Sequence, residues 1–289
     1  MPEECEEHME RGLIFDCDGV LADTELHGHL VAFNRMWNKL GVPWQWSPEQ
    51  YAEKLKIGGG KERMASLFKD QDFQQIFTVP ESDADRKTLI AAWHKEKTAI
   101  YQEIISSGAI LPRSGIKRIA EAALAAGWQV AVASTSARPS VESVLNHVAG
   151  DSTAKRISVF AGDVVTAKKP APDIYLLAIQ KMGLAPENCV AIEDSRNGLL
   201  SAVSAGAHVV VTTSWFTRGE DFSEAQLVVS ALGDPGGEQA IVGANRLGRP
   251  IDSYVKLEDL AAVLGQKLTR QQSRNHNARR FTEGSEKEI

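Results

Sequence analysis

The chain has 289 residues, 43% of them hydrophobic, and a formal net charge of −6. That length is generous for one domain and short for three, and the apolar content is enough to bury a full core. A net negative chain is a poor polyanion binder, which excludes nucleic acid as the main partner, and no apolar run reaches the roughly 20 residues that span a bilayer.

The opening segment, Pro2-Glu3-Glu4-Cys5-Glu6-Glu7, is acidic. It is neither a secretory signal nor a transit peptide, so a cytoplasmic location is expected. The first apolar run, Gly12-Leu13-Ile14-Phe15, ends in Asp16 and has the short, uninterrupted character of a central parallel strand. From Leu26 to Ser107 the pattern is helical. Leu26, Leu30, Phe33, Trp37 and Leu40 share one helical face, and Ser47-Pro48-Glu49-Gln50 reads as an N-cap, a proline in the first turn and a capping-box glutamine. Gly58-Gly59-Gly60-Lys61-Glu62-Arg63 is a glycine-rich loop opening a helix, able to approach a phosphate or to serve as a plain connector. Leu89, Ile90, Trp93, Ile100, Tyr101 and Ile104 mark a long helix. Trp37, Trp44, Trp46 and Trp93 all fall in this block, where they are expected mainly to fill a small helical core.

Strands then alternate with helices. Gln129–Ala133, Ser158–Ala161, Cys189–Ile192 and His208–Val211 are strand-like. Between them lie helical periods closed by Gly127, Gly183 and Gly206. This predicts an α/β fold with a parallel, doubly wound sheet carrying an inserted helical cap. The expected division is 11–24 and 109–265 for the core, 25–108 for the cap, and flexible termini at 1–10 and 266–289. A last strand is expected at Asp252–Val255 and a short helix after it, followed by a polar, basic tail from Gln266. Cys5, Cys17 and Cys189 form no close pair, so neither a disulfide nor a zinc site is expected.

The chemistry gathers at strand ends. Asp16 and Asp18 follow the first strand, and Glu193 and Asp194 follow the Cys189–Ile192 strand. In a parallel sheet these ends face one edge. One aspartate there is commonly a cap, but two acidic pairs would repel, and such a cluster suits a hard cation, Mg²⁺, held by oxygen ligands. Ser134, with Thr135 and Ser136 behind it, stands where hydroxyl and backbone N–H groups cradle phosphate, and Lys168-Lys169 could neutralise carboxylate and phosphoryl charge. Taken singly, the serine reads as a cap and the lysines as a solvated face.

Together, Asp16-Cys17-Asp18-Gly19-Val20-Leu21, the Ser134 strand end, Lys169-Pro170-Ala171-Pro172-Asp173 and Glu193-Asp194-Ser195 resemble, in order, the four motifs of the haloacid dehalogenase superfamily. With a helical cap between the first two motifs, the chain is similar to the β-phosphoglucomutase and phosphoglycolate phosphatase branch. The resemblance implies Asp16 as covalent nucleophile and Asp18 as acid and base. It also implies Mg²⁺ on Asp16, the Asp18 carbonyl and Asp194 with Glu193 in support, and Ser134 and Lys169 on the phosphoryl group. More narrowly, Ile57–Met64, Phe160–Val165 and Lys168–Tyr175 look like the CbbY-type xylulose-1,5-bisphosphate phosphatases. Those enzymes remove a Rubisco inhibitor, with no direct Rubisco contact implied. On that resemblance Glu25, His29, Lys61 and Arg63 are candidates for the sugar and its distal phosphate, with Ser136 on the core side. A small phosphorylated sugar is the expected partner, a monomer the expected state, and the plastid stroma the location if a transit peptide has been lost. Alternatives are a β-phosphoglucomutase-like transferase, a phosphatase for another small ester and, from another class, a sensor without turnover.

Overall fold

A computed structural model describes residues 10–265; the expectations for Cys5, the acidic start and the basic tail lie outside the described residues. In chain order the elements are β1 (Gly12–Phe15), α1 (Leu30–Lys39), α2 (Pro48–Leu55), α3 (Gly60–Ser66), α4 (Gln71–Ile76), α5 (Asp83–Ser106), α6 (Ile116–Ala125), β2 (Gln129–Ser134), α7 (Arg138–Ala149), α8 (Asp151–Ala154), β3 (Ser158–Ala161), α9 (Asp173–Met182), β4 (Cys189–Glu193), α10 (Arg196–Ser204), β5 (His208–Thr212), β6 (Leu227–Val229), β7 (Val242–Asn245) and α11 (Leu257–Leu264).

The seven strands form one sheet in the order β3-β2-β1-β4-β5-β6-β7. All neighbours are parallel except β6 and β7. Side chains alternate across the strands and so feed two cores. Leu13, Phe15, Val130, Val132, Val190 and Ile192 pack on one face with Ile116, Ile119 and Leu260. Ile14, Ala131, Ala133, Ala191 and Val209 pack on the other with Ile174, Tyr175 and Leu199. Helices on both faces explain why the strands read as continuous apolar runs. The chain leaves β1 toward β2 and β3, then returns beside β1 as β4 and continues outward, so the order reverses at β1. Phe15 pairs with both Val132 and Ile192. That register brings Asp16, Ala133 and Glu193 level at the carboxyl edge, where doubly wound sheets bind ligands.

Between β1 and β2 the described chain is helical. Its core is aromatic: the Trp46 ring meets Trp37 edge-on at 4.6 Å and Phe33 at 5.1 Å, and Trp44 meets Phe73 at 5.2 Å. The expected capping box on α2 is formed, with the Gln50 amide donating to Ser47 Oγ at 3.2 Å and the Ser47 amide to Gln50 Oε1 at 2.9 Å.

Two features differ from the sequence reading. β6 and β7 extend the sheet beyond the expected strands, β6 being only three residues long. Asp252–Val255 is not a strand: Ser253 O accepts from the Ala240 amide and the Val255 amide donates to Leu232 O, each at 2.7 Å. The segment clips the two ends of the β6–β7 loop and joins no ladder. Cys17 and Cys189 are free and buried. No helix of the described residues is long and apolar enough to cross a membrane.

Candidate active site

Asp16 continues β1 by one hydrogen bond, its amide donating to Ile192 O at 2.9 Å. The chain then turns through Gly19, whose φ is +78°. A Cβ at Gly19 would stand 2.1 Å from Asp194 Oδ2, so this turn and the Asp194 carboxylate share space that only glycine leaves open. Asp16, Glu193 and Asp194 each bring an oxygen within 4.8 Å of the others, and all three are buried.

Among the described residues, the only ammonium bonded to this cluster is that of Lys169. It reaches Asp16 Oδ1 and Glu193 Oε1 at 2.6 Å each and Ala133 O at 3.1 Å. Burial works against its charge, but the two carboxylates outweigh burial and hold its pKa above the ordinary lysine value. Glu193 is fully enclosed and also accepts from the Tyr175 hydroxyl. The Asp194 side chain makes no hydrogen bond among the described residues. Burial first, then the charges of Asp16 and Glu193, push its pKa well up. Asp16 is raised to about 7, by burial first, with Lys169 opposing and Glu193 and Asp18 reinforcing. Three buried carboxylates facing one ammonium, one of them unpartnered, form a donor set that fits a hard divalent cation.

Asp18 points the other way. Its carboxylate accepts from Thr24 Oγ1 at 2.6 Å, His29 Nε2 at 2.9 Å and Ser136 Oγ at 2.5 Å, with Tyr101 OH at 3.4 Å. Burial alone would raise its pKa, but His29 and the hydroxyl donors outweigh it and hold Asp18 well below the usual carboxylate range. The four acids therefore do not converge on one point: three do, and the fourth faces the helical block. His29 stacks on Tyr101 at 4.1 Å, and its Nδ1 meets the buried Lys97 ammonium, which also lies over the Phe33 ring. Burial drops Lys97 to about 7. One turn of π-helix, Glu25–His29, precedes α1 and presents both its end residues inward.

A cavity of about 790 Å³ lies between the sheet edge and the helical block, lined by Asp16, Asp18, Glu25, His29, Lys61, Arg63, Ser134, Ser136, Lys169 and Asp194. Of the candidates read from sequence, Glu193 alone is not in the lining; it stands behind Lys169. Ser134 is buried and its hydroxyl accepts from the Ser136 amide at 3.1 Å. Lys61 pairs with Asp163 at 2.9 Å, and Lys168 with Glu62 at 3.2 Å, across the mouth. Arg63 lies deeper, beside Glu25. Sequence reasoning missed Lys97, Tyr101 and Tyr51 as polar partners of the site. Lys97 left one signal: it lies on the apolar face of α5, four residues after Trp93 and three before Ile100.

The model of haloacid dehalogenase-like hydrolases matches residues 10–206. A CBBY-like protein of Arabidopsis thaliana is 42% identical over 77% of this chain and 69% of its own length. Protein CbbY of Rhodobacter capsulatus is 44% identical over 74% and 90%. A mutant CbbY from Rhodobacter sphaeroides, solved in complex with xylulose-(1,5)bisphosphate, is 37% identical, superposes with a TM-score of 0.70 and covers 77% of this chain and 95% of its own. The acid cluster at the switch point of the sheet and a family match over more than half the chain agree: this chain belongs to the haloacid dehalogenase-like hydrolases, with CbbY proteins among its relatives.

Proposed function

We propose that the protein is a Mg²⁺-dependent sugar-phosphate phosphatase, acting on xylulose 1,5-bisphosphate to give xylulose 5-phosphate and phosphate. The observation that carries the chemistry is the opposed setting of two aspartates two positions apart, Asp16 against Lys169 and Asp18 under donors from the helical block, His29 and Tyr101, and from the core, Thr24 and Ser136. The bisphosphate is supported by the CbbY relative whose complex holds that sugar.

In this reading Asp16 attacks phosphorus in line and forms an aspartyl phosphate as the bond to the sugar oxygen breaks, and Asp18, ionised in the free site, relays to that oxygen a proton passed to it from His29 Nε2. Asp18 then takes a proton from the water that attacks phosphorus, which frees Asp16. His29, bonded to Asp18 and to Lys97, orients the Asp18 carboxyl group and is its proton neighbour. Lys169 and Ser134 hold the transferring group. Asp16, Asp194 and the Asp18 carbonyl are the ligands for Mg²⁺, with Glu193 in support, and the ion when bound offsets carboxylate and phosphoryl charge. Residues 25–108 act as a cap that closes over the core residues 11–24 and 109–265 and excludes water. Lys61 serves the distal phosphate, and Glu25 and Arg63 the sugar.

The test is phosphate release with Mg²⁺ from xylulose 1,5-bisphosphate, ribulose 1,5-bisphosphate, glucose 1-phosphate and phosphoglycolate. A preference for the xylulose compound is expected. Equal or faster turnover of a monophosphate overturns the substrate assignment and keeps the chemistry; no release from any of them overturns both.

A further inference from the structure

Tyr51 does not line the cavity, yet its hydroxyl joins two residues that do. It donates to Glu25 Oε2 at 2.6 Å and accepts from Arg63 Nη1 at 2.9 Å, and the side chain is fully buried. Arg63 and Glu25 approach each other at 3.6 Å, longer than a hydrogen bond, so the phenol is what bridges them. Arg63 Nε also donates to Ile57 O at 3.0 Å, which fixes the plane of the guanidinium. Three elements thus meet at one oxygen: Glu25 from the π-turn, Tyr51 from α2 and Arg63 from α3.

The tyrosine ring also meets a residue outside the helical block. Its ring meets Phe216 edge-on at 6.0 Å, in the loop after β5. Seating of α2 against the core and the orientation of the pair are therefore mechanically joined.

We propose that Tyr51 is the positioning residue of a hydroxyl-reading pair, in which Glu25 accepts and Arg63 donates to adjacent hydroxyls of the substrate's sugar chain. The charge argument favours hydroxyls over a phosphate. The Arg63 cation is already matched by the half-buried Glu25 carboxylate, so the pair is close to neutral and offers a phosphate dianion little attraction. It still has free acceptor capacity on Glu25 Oε1 and free donors on Arg63 Nη2, which makes no hydrogen bond among the described residues. Lys61, at the mouth and paired only with an exposed aspartate, is the better partner for the distal phosphate. The inference deepens the proposed function and rests on it only in requiring a substrate that carries hydroxyls.

The test is Tyr51→Phe, which keeps the ring and its Phe216 contact and removes the hydroxyl. KM is measured for the sugar phosphate that the wild type turns over best and for p-nitrophenyl phosphate, whose leaving group has no aliphatic hydroxyl. KM for the sugar phosphate is expected to rise about tenfold more than for p-nitrophenyl phosphate, the size of one hydrogen bond to a charged group, with the kcat ratio of the two substrates kept. Equal changes on both substrates would mean a merely structural tyrosine, and no change on either would mean an idle one; both overturn the proposal. Should Tyr51→Phe not fold, Arg63→Lys keeps the charge and loses the fork, and the same selective rise is expected; an equal change on both substrates overturns the proposal there too. A wild-type enzyme that prefers another sugar phosphate would sink the xylulose assignment and leave this comparison intact.

Discussion

Asp16 and Asp18 are the same side chain two positions apart, and their neighbours divide the work. Asp16 sits among acids with one lysine, so its charge is resisted; Asp18 sits under four donors, so its charge is welcomed. Asp16→Asn removes the proposed nucleophile and is expected to drop phosphate release to background; turnover surviving that change refutes the covalent step. Asp18→Asn keeps the shape but cannot move a proton, and a loss of about 100- to 10,000-fold in kcat is expected. Asp16, Ser134, Glu193 and Asp194 were legible because each ends a strand or directly follows one, and Asp18 and Lys169 because they stand in the short motifs Asp16-Cys17-Asp18-Gly19 and Lys169-Pro170. Lys97 and Tyr101 were not, because they come from a 24-residue helix far along the chain: Lys97 reaches Asp18 only through His29, and Tyr101 touches it directly.

The glycine-rich stretch before α3 shows how an element can be read correctly and still hold a surprise. Its helix begins where the glycines end, and Gly59 has a φ of +98°. Its charges are not idle, however: Lys61 is held by Asp163 and Glu62 by Lys168, so the loop is tied to the core by ion pairs. Such pairs are individually weak and screened by salt. Asp163→Asn is therefore expected to free Lys61 and lower KM for a bisphosphate about two- to three-fold at low ionic strength, with the gain fading near 0.5 M salt, as steady-state kinetics at two salt concentrations would read. A rise in KM would show that Asp163 helps to hold substrate. β6 escaped notice because three residues are too few to show a period, and Asp252–Val255 looked like a strand because β-favouring residues also serve extended clips.

Gathering three carboxylates at one sheet edge has a cost that the entire molecule bears. The raised pKa values of Asp16 and Asp194 mean that the folded state binds protons which the unfolded state has already released above about pH 4. Their contribution to stability is therefore lost as pH rises from about 4, for Asp16 through its folded value of about 7, and a bound cation restores it. The Mg²⁺-induced rise in Tm is expected to be larger at pH 8 than at pH 5; an equal rise at both would place the ion elsewhere. The parallel sheet, the helical insertion and the residues at the strand ends follow from the order of residues alone, because strand periodicity and the positions just after strands are local properties. It takes the folded chain to show that three acids converge while Asp18 faces the helical block, that Glu193 stands behind Lys169, and that Tyr51 binds Glu25 to Arg63. Those facts depend on side-chain directions and on contacts between residues tens of positions apart, which no local pattern encodes.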